Sequence, residues 1–326
     1  MIRFIAPVAA SILTVAIAYI APAYAQAEQY PSRSIRLVVP FQAGVITDVL
    51  ARTFAEKLST RLGKPVLIEN KPGAGGALGA KFVASADPDG YTLLFVNSQH
   101  AIAPAVYKAL NYDTLTDFAG VALVAESPSA VIVSPKMGAR TLKAFIEDAK
   151  SKPETFTYAS AGTGSQTHLA AEYFSSQAGI KLVHLPYHNT GSIIADMIAG
   201  RTHATFSPPG FLLGQIQSGD LWVLAVTSRN GMAEPINAPS VNETVIPGYQ
   251  YSTWFGVFAP SRTPAAILER LADAFQAALN EPDLKEKFLK SAVVTRFIPL
   301  REFDAFVKAD IEKQVQIVKA AGIEGR

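Results

Sequence analysis

From Ile35 onward the chain alternates short strand-like runs with longer helix-like segments, and this alternation limits the possible folds more than any other feature. Ile35-Arg36-Leu37-Val38-Val39 is strand-like, and Asp48 to Arg61 then carries Leu50, Phe54 and Leu58 at helical spacing. Val66-Leu67-Ile68 is the next strand, Ala77 to Ala86 a helix, and Thr92-Leu93-Leu94-Phe95-Val96 a third strand. Such βαβ units give a parallel sheet with helices on both faces. A second series begins near Ala130-Val131-Ile132-Val133 and includes strands at Leu182-Val183-His184 and from Leu221 to Val226. Another strand lies near Thr253 to Phe258, followed by Thr263-Pro264 as an N-cap and first helical residue. The helix it starts carries Ile267, Leu268, Leu271, Phe275 and Leu279 on one stripe. Further helices fit Asp283 to Ser291 and Arg301 to Ala321, the last with Phe303, Phe306, Val307, Ile311, Val315 and Val318 turned inward. The order of segments places one domain at 26–127 plus 255–326 and a second at 128–254, with two crossing strands as the hinge.

The N-terminus gives the location. Arg3 precedes an uncharged stretch from Phe4 to Ala25 that closes with Ala23-Tyr24-Ala25, the pattern of a secretory signal peptide at residues 1–25. Pro7 and Pro22 interrupt the run, which argues against a retained membrane anchor. About 300 residues remain, enough for two domains with large cores. The chain has no cysteine, which excludes a small disulfide-stapled scaffold and fits a bacterial periplasm. Its 29 basic and 27 acidic residues leave a net charge of +2 with no long block of one sign, so it lacks the electrostatic footprint of a nucleic-acid binder.

Two loops carry the functional reading. Ser160-Ala161-Gly162-Thr163-Gly164-Ser165-Gln166-Thr167-His168 follows the strand-like Phe156-Thr157-Tyr158 and enters a helix. Its glycines let amides turn toward one point, and Ser165 can cap the helix, leaving N–H groups free for a carboxylate or phosphate. Phe41-Gln42-Ala43-Gly44-Val45-Ile46-Thr47-Asp48 holds the same place after the first strand. Open α/β sheets bind ligands at the carboxyl ends of their strands, so the two loops would face each other across a cleft. Asp48 suits the helix dipole but repels a bound anion, so this loop is expected to act through hydroxyl, amide or water contacts.

Pro40-Phe41, Gly44, Thr47-Asp48 and Ala51-Arg52 together resemble the first signature of the periplasmic receptors of tripartite tricarboxylate transporters, the Bug or TctC-type solute-binding proteins. Glu69 to Gly76, Asp87 to Leu93, Tyr158 to Ser165 and His184-Leu185-Pro186-Tyr187 resemble its later signatures in order. The resemblance implies an α/β, two-lobed, periplasmic-binding-protein-like (Venus-flytrap) fold, each lobe a mixed, mainly parallel sheet flanked by helices. It also implies a small carboxylate ligand, partly held through water, and membrane transporter subunits as partners. Carried over by motif, the ligand contacts are Phe41, Gly44, Thr47 and Asp48 from one lobe and Ser160, Ala161, Gly164, Ser165 and His168 from the other. Relatives usually have adjacent glycines in the first loop. Here Val45 and Ile46 make that wall bulkier and more apolar. Where relatives commonly place an aspartate after the Ala199-Gly200 turn, this chain offers Ser207. Both departures point to an aromatic or otherwise apolar-bodied carboxylate, dicarboxylic acids included, rather than an amino acid such as aspartate.

Other motifs carry less. Gly73, Gly75, Gly76 and Gly79 lack the G-x-G-x-x-G spacing and read as a close-packed turn. Ser165 near His168 keeps a secreted serine hydrolase open as an alternative, although G-x-S-x-G is absent there. His184 and His188 flank Pro186, which spoils a helical metal pair. Tyr187 and Trp254 are candidates for the cleft wall, the hinge or the core. The expectation is a monomeric, non-enzymatic periplasmic protein with no cofactor, metal or nucleic-acid partner; a soluble sensor for a membrane regulator is a further alternative.

Overall fold

The computed structural model describes residues 30–233 and 235–323. The expected signal peptide at 1–25 lies outside the described residues. The strands are β1 (Ile35–Val39), β2 (Val66–Asn70), β3 (Thr92–Asn97), β4 (Phe118–Pro128), β5 (Ala130–Val133), β6 (Thr157–Ser160), β7 (Val183–Pro186), β8 (Ala204–Ser207), β9 (Trp222–Val226), β10 (Ser252–Pro260) and β11 (Val294–Pro299). They form a six-stranded sheet in the order β11-β4-β10-β3-β1-β2 and a five-stranded sheet in the order β7-β6-β8-β5-β9. Each sheet is flanked by helices and forms the middle of one lobe, as the α/β two-lobed expectation requires.

The expected predominance of parallel pairing needs correction. Parallel ladders join β1 to β2 and β3, and β6 to β7 and β8. The remaining ladders, β10 with β3 and β4, β11 with β4, and β5 with β8 and β9, are antiparallel. The chain leaves the first sheet on β4 and returns on β10, paired from Ser252 opposite Pro128 to Pro260 opposite Phe118. An outgoing and a returning strand that share one gap must run in opposite directions, so the crossing itself imposes the mixture.

Helix Ile46–Leu62 shows how the apolar spacing becomes core. Leu50, Phe54 and Leu58 are almost wholly buried beneath the first sheet. The Phe54 ring lies 5.2 Å from Phe275 and 5.4 Å from Phe288, tying this helix to the two that follow β10. Removing that ring would cost about 4 kcal/mol, since nothing nearby can fill the space cheaply. Helix Ala265–Leu279 starts one residue later than expected: Thr263 Oγ1 donates to Pro260 O at 2.8 Å instead of capping it.

The last helix, Leu300–Ala320, departs from its expected stripe. Phe303 and Val307 are buried in the first lobe, whereas Ile317 and Val318 belong to the core of the second. Val315 is 44% exposed and Gln314 takes the buried place, its Nε2 donating to Asp310 Oδ1 at 3.0 Å. A helix that crosses between lobes changes partners along its length, so one straight apolar stripe cannot serve both.

Between the lobes, Ser129, Thr227 and Tyr251 form a knot. Thr227 N–H and Oγ1 each donate to Ser129 O at 2.8 Å, Tyr251 N–H donates to Thr227 O at 3.2 Å, and the Thr227 hydroxyl also reaches Tyr251 O. Three buried segments at the crossover thereby satisfy one another's backbone groups.

Candidate ligand-binding cleft

The first loop is organised by a carboxylate that turns away from the cleft. Gly44 takes φ +85°, a region costly for residues with a Cβ, and directs its N–H to Asp48 Oδ2 at 2.9 Å. Arg52 Nε donates to the same oxygen at 2.9 Å, and Asn70 Nδ2 donates to Oδ1 at 2.8 Å. Burial would raise the Asp48 pKa, but the hydrogen bonds from Arg52, Gly44 and Asn70 outweigh it and hold the carboxyl below its ordinary value. The expectation that Asp48 repels an incoming anion is therefore corrected, because its charge is matched by Arg52. The helix behind it begins after Val45, whose side chain makes no cap. Among the described residues, the N–H groups of Ile46 and Thr47 find no acceptor.

The second loop is closed from beneath. Ser165 Oγ accepts from His168 N–H at 3.3 Å and caps helix Gln166–Ala178, as expected from the sequence. Thr167 Oγ1 accepts from Ala161 N–H at 2.9 Å, and Ser160 Oγ accepts from Gly162 N–H at 3.1 Å. Gly164, at φ +73°, donates to His168 Nδ1 at 3.0 Å; a Cβ there would press on Val106. His168 stacks on His184 at 3.9 Å, and both rings stack on Tyr158. Burial first, and the neighbouring His184 second, push His168 down to about 4, so the ring is neutral and free to accept at Nδ1. Ser160 Oγ lies 2.6 Å from His184 Nε2, deep under the loop.

These loops border two connected chambers. An inner one of about 340 Å³ has Phe41, Val45, Ile46, Ile193, Phe211 and Leu212 as its apolar lining. Its polar groups are Gln42, Thr47, Asn97, Thr167, Thr190, Thr205 and Ser207. An outer one of about 620 Å³ shares Phe41, Ile46, Asn97, Ala161, Thr167 and Phe211 and adds Ser165, Gln166, His188 and Thr253. Among the described residues, no Asp, Glu, Lys or Arg lines either chamber. Ser207 Oγ and Thr253 Oγ1 are buried without a hydrogen-bond partner, one in each chamber.

The expected contacts therefore divide. Phe41, Thr47, Ala161, Gly164, Ser165 and Ser207 stand on the walls, and Gly44 lines a smaller adjoining hollow of about 190 Å³. Asp48, Ser160 and His168 do not reach the chambers; they fix the loops from behind. Tyr187 bonds Asp196 and Thr202, and Trp254 bonds Asp310, so both serve the framework. The glycines after Gly73 pack closely: a Cβ on Gly79 would overlap Pro40. Ser165 faces a backbone amide and Thr167 rather than an imidazole, which leaves the hydrolase alternative without a base on that serine. Asn97, Thr167, Thr190, Thr205 and Phe211 were not anticipated. Thr167 lies within the loop already singled out and Thr205 on the same strand as Ser207; Asn97, Thr190 and Phe211 come from separate segments that only the tertiary fold brings together.

Comparison with known proteins agrees with this geometry. Residues 50–323 match the model of the tripartite tricarboxylate transporter family receptor. The chain is 31% identical to Protein BugT of Bordetella pertussis over 324 residues, 99% of this chain and 98% of that one. It is similar to the solved structure of R. palustris Rpa4515 with adipate, at 28% identity and TM-score 0.78 over 91% of this chain and 100% of that one. It is also similar to MatC from Rhodopseudomonas palustris with bound malate, at 26% identity and TM-score 0.73 over 89% and 100%. The resemblance read from five ordered motifs is borne out, and the chain belongs to the TctC family of tripartite tricarboxylate transporter receptors.

Proposed function

We propose that this protein captures an organic carboxylate between its lobes in the periplasm and delivers it to a tripartite tricarboxylate-type membrane transporter. The observation that carries the reading is the pairing of two helix starts, at Ile46 and Thr47 and at Gln166 and Thr167, on one cleft whose walls bear no Asp, Glu, Lys or Arg. Each helix start presents about half a positive charge and free N–H donors, which suits a carboxylate without a fixed cation. Hydroxyls and bridging water complete its shell. The apolar flank of the inner chamber suits an aromatic or extended aliphatic body, and its volume lies near the lower end of the usual ~300–1,000 Å³ range. Similar receptors solved with adipate and malate support a carboxylate, including one with two acid groups.

On this reading Phe41, Thr47, Ala161, Gly164, Ser165 and Ser207 touch the ligand or its water, while Asp48, Ser160 and His168 hold the loops. Domains at 26–127 plus 255–326 and at 128–254 close about the Ser129–Thr227–Tyr251 knot, the ligand favouring the closed form. The protein acts as a monomer, which sedimentation checks. Native mass spectrometry of the protein purified without added ligand should reveal a carboxylic acid. Calorimetry with adipate, malate, aspartate, citrate and an aromatic acid then sorts the class. Tight binding of aspartate or citrate with none of the aromatic acid would overturn the apolar-bodied ligand; silence with every acid would overturn carboxylate capture.

A further inference from the structure

The turn that carries Phe211 over the cleft is braced against the opposite lobe. Phe211 borders both chambers and the smaller hollow beside them. Its neighbour Gly210 packs so closely on the backbone of Ser291 that a Cβ at Gly210 would overlap the Ser291 carbonyl oxygen. Gly210 does not have a positive φ, so its lack of a side chain answers to space and not to backbone conformation. Gly214, four residues on, has nothing within 4 Å of such a Cβ. The requirement is therefore local to the contact between lobes.

The opposing surface is equally specific. Helix Pro282–Leu289 ends with Val293 N–H donating to Phe288 O at 3.0 Å and Ala292 N–H donating to Leu289 O at 2.9 Å. In that kind of ending the left-handed position usually belongs to glycine. Here it is Ala292, at φ +53°, and the residue is fully buried in the second lobe's cluster with Ala130, Ile132 and Leu212. Ser127 Oγ, at the hinge end of β4, fixes the same turn by donating to Ala292 O at 3.0 Å. A residue in an unfavourable backbone region whose methyl lies in the other lobe's core marks a contact the fold maintains.

We infer that the contact between Gly210 and Ser291 is the stop that sets how closely the lobes approach, with or without ligand, and that it places Phe211 against the bound solute. The part concerning the solute rests on the cleft reading above; the stop itself does not. The contact lies beside the hinge, because β11 begins at Val294 opposite Glu126, two residues before the end of β4. A displacement of one methyl there is magnified at the mouth of the cleft. Added bulk at Gly210 should hold the lobes apart, withdraw Phe211 and reduce the closed fraction on which affinity depends.

The chain has no cysteine, so Lys81→Cys and Ala195→Cys, both exposed and in different lobes, give clean spin-label sites. Distances between the labels are measured by electron double resonance, without ligand and with adipate or whichever acid calorimetry identifies. In that background Gly210→Ala should lengthen the distance in both states and weaken binding by about tenfold. Gly214→Ala should change neither, and Phe211→Ala should weaken binding while leaving the distance as it is. A Gly210→Ala distance equal to that of the parent overturns the stop, whatever happens to affinity. If the parent binds no acid, the cleft reading falls and the ligand-free distances still decide the stop. Should Gly210→Ala fail to fold, Ala292→Gly replaces it: loss of the buried methyl should broaden the distance distribution, and an unchanged distribution overturns the proposal.

Discussion

The imidazoles of His168 and His184 lie 3.9 Å apart and 8° from parallel, beneath a loop whose Gly164 amide donates to one and whose Ser160 hydroxyl meets the other. Both pKa values are lowered by burial, and His168 is lowered further by its neighbour, to about 4. The unfolded chain takes up a proton near 6.5, so between that pH and about 4 it binds more protons than the folded protein. Stability must then fall as pH drops through that window. His100, lowered to about 3 by burial alone, acts in the same direction. Melting followed by circular dichroism should show the decline, and His168→Asn, whose Oδ1 can still accept from Gly164, should make it shallower. An equal slope in the variant would remove His168 from the account.

Asp48 is the organiser of the first loop, and its removal should be felt in two ways. Asp48→Ala takes the acceptor from Gly44 N–H and from one Asn70 Nδ2 hydrogen and removes the ion-pair partner of Arg52, while Asn70 keeps its bond to Phe41 O and Arg52 its bond to Asn70 Oδ1. Because Arg52 is largely solvated and the Gly44 and Asn70 donors are only partly buried, the loss should be about 1 kcal/mol. Urea titration measures it. Binding of the cleft ligand should weaken as well, although Asp48 does not line the chambers.

Thr167 combines a wall position with a supporting one. Its hydroxyl accepts from Ala161 N–H and bonds Ser165 Oγ, so Thr167→Val keeps the shape and orphans an amide at the cleft. Calorimetry should record roughly a tenfold loss of affinity, the size expected when one hydrogen-bonding group near a charged ligand is removed. Far-UV circular dichroism should be unchanged.

At the crossover, Thr227→Val removes the hydroxyl bonds to Ser129 O and Tyr251 O while the backbone bonds of Thr227 remain. Both carbonyls keep an amide partner, so destabilisation of about 1 kcal/mol is expected by urea titration. Association and dissociation rates should change together if the knot is the axis of closure, which stopped-flow fluorescence would show.

Most strands were legible because each is a short apolar run between turn residues, as in Ile35 to Val39 and Ala130 to Val133. Their directions were less so. Whether β10 runs with or against β3 depends on where the chain re-enters the sheet, and periodicity carries no such information. The cleft divides in a similar way. Ser165 declares itself as a cap, and Val45 and Ile46 as apolar bulk, through local sequence alone. Asp48, Ser160 and His168 sit in the same motifs, yet their side chains turn under the loops toward Arg52, His184 and Gly164. Motif membership marks the place in the chain, while side-chain direction follows from partners distant in sequence. Asn97, Thr190 and Phe211 belong to no anticipated motif and become visible only when the two sheets are set against each other.

The final helix has its first turns buried with one sheet and its last turns with the other. It is a strut laid across the joint. Any rotation of the lobes must be taken up along those 21 residues by bending, sliding or a change of side-chain contacts at one end. If the lobes close on a solute as proposed, the surface behind the joint changes shape together with the mouth in front, and filled and empty molecules would be distinguishable from a face the solute never touches.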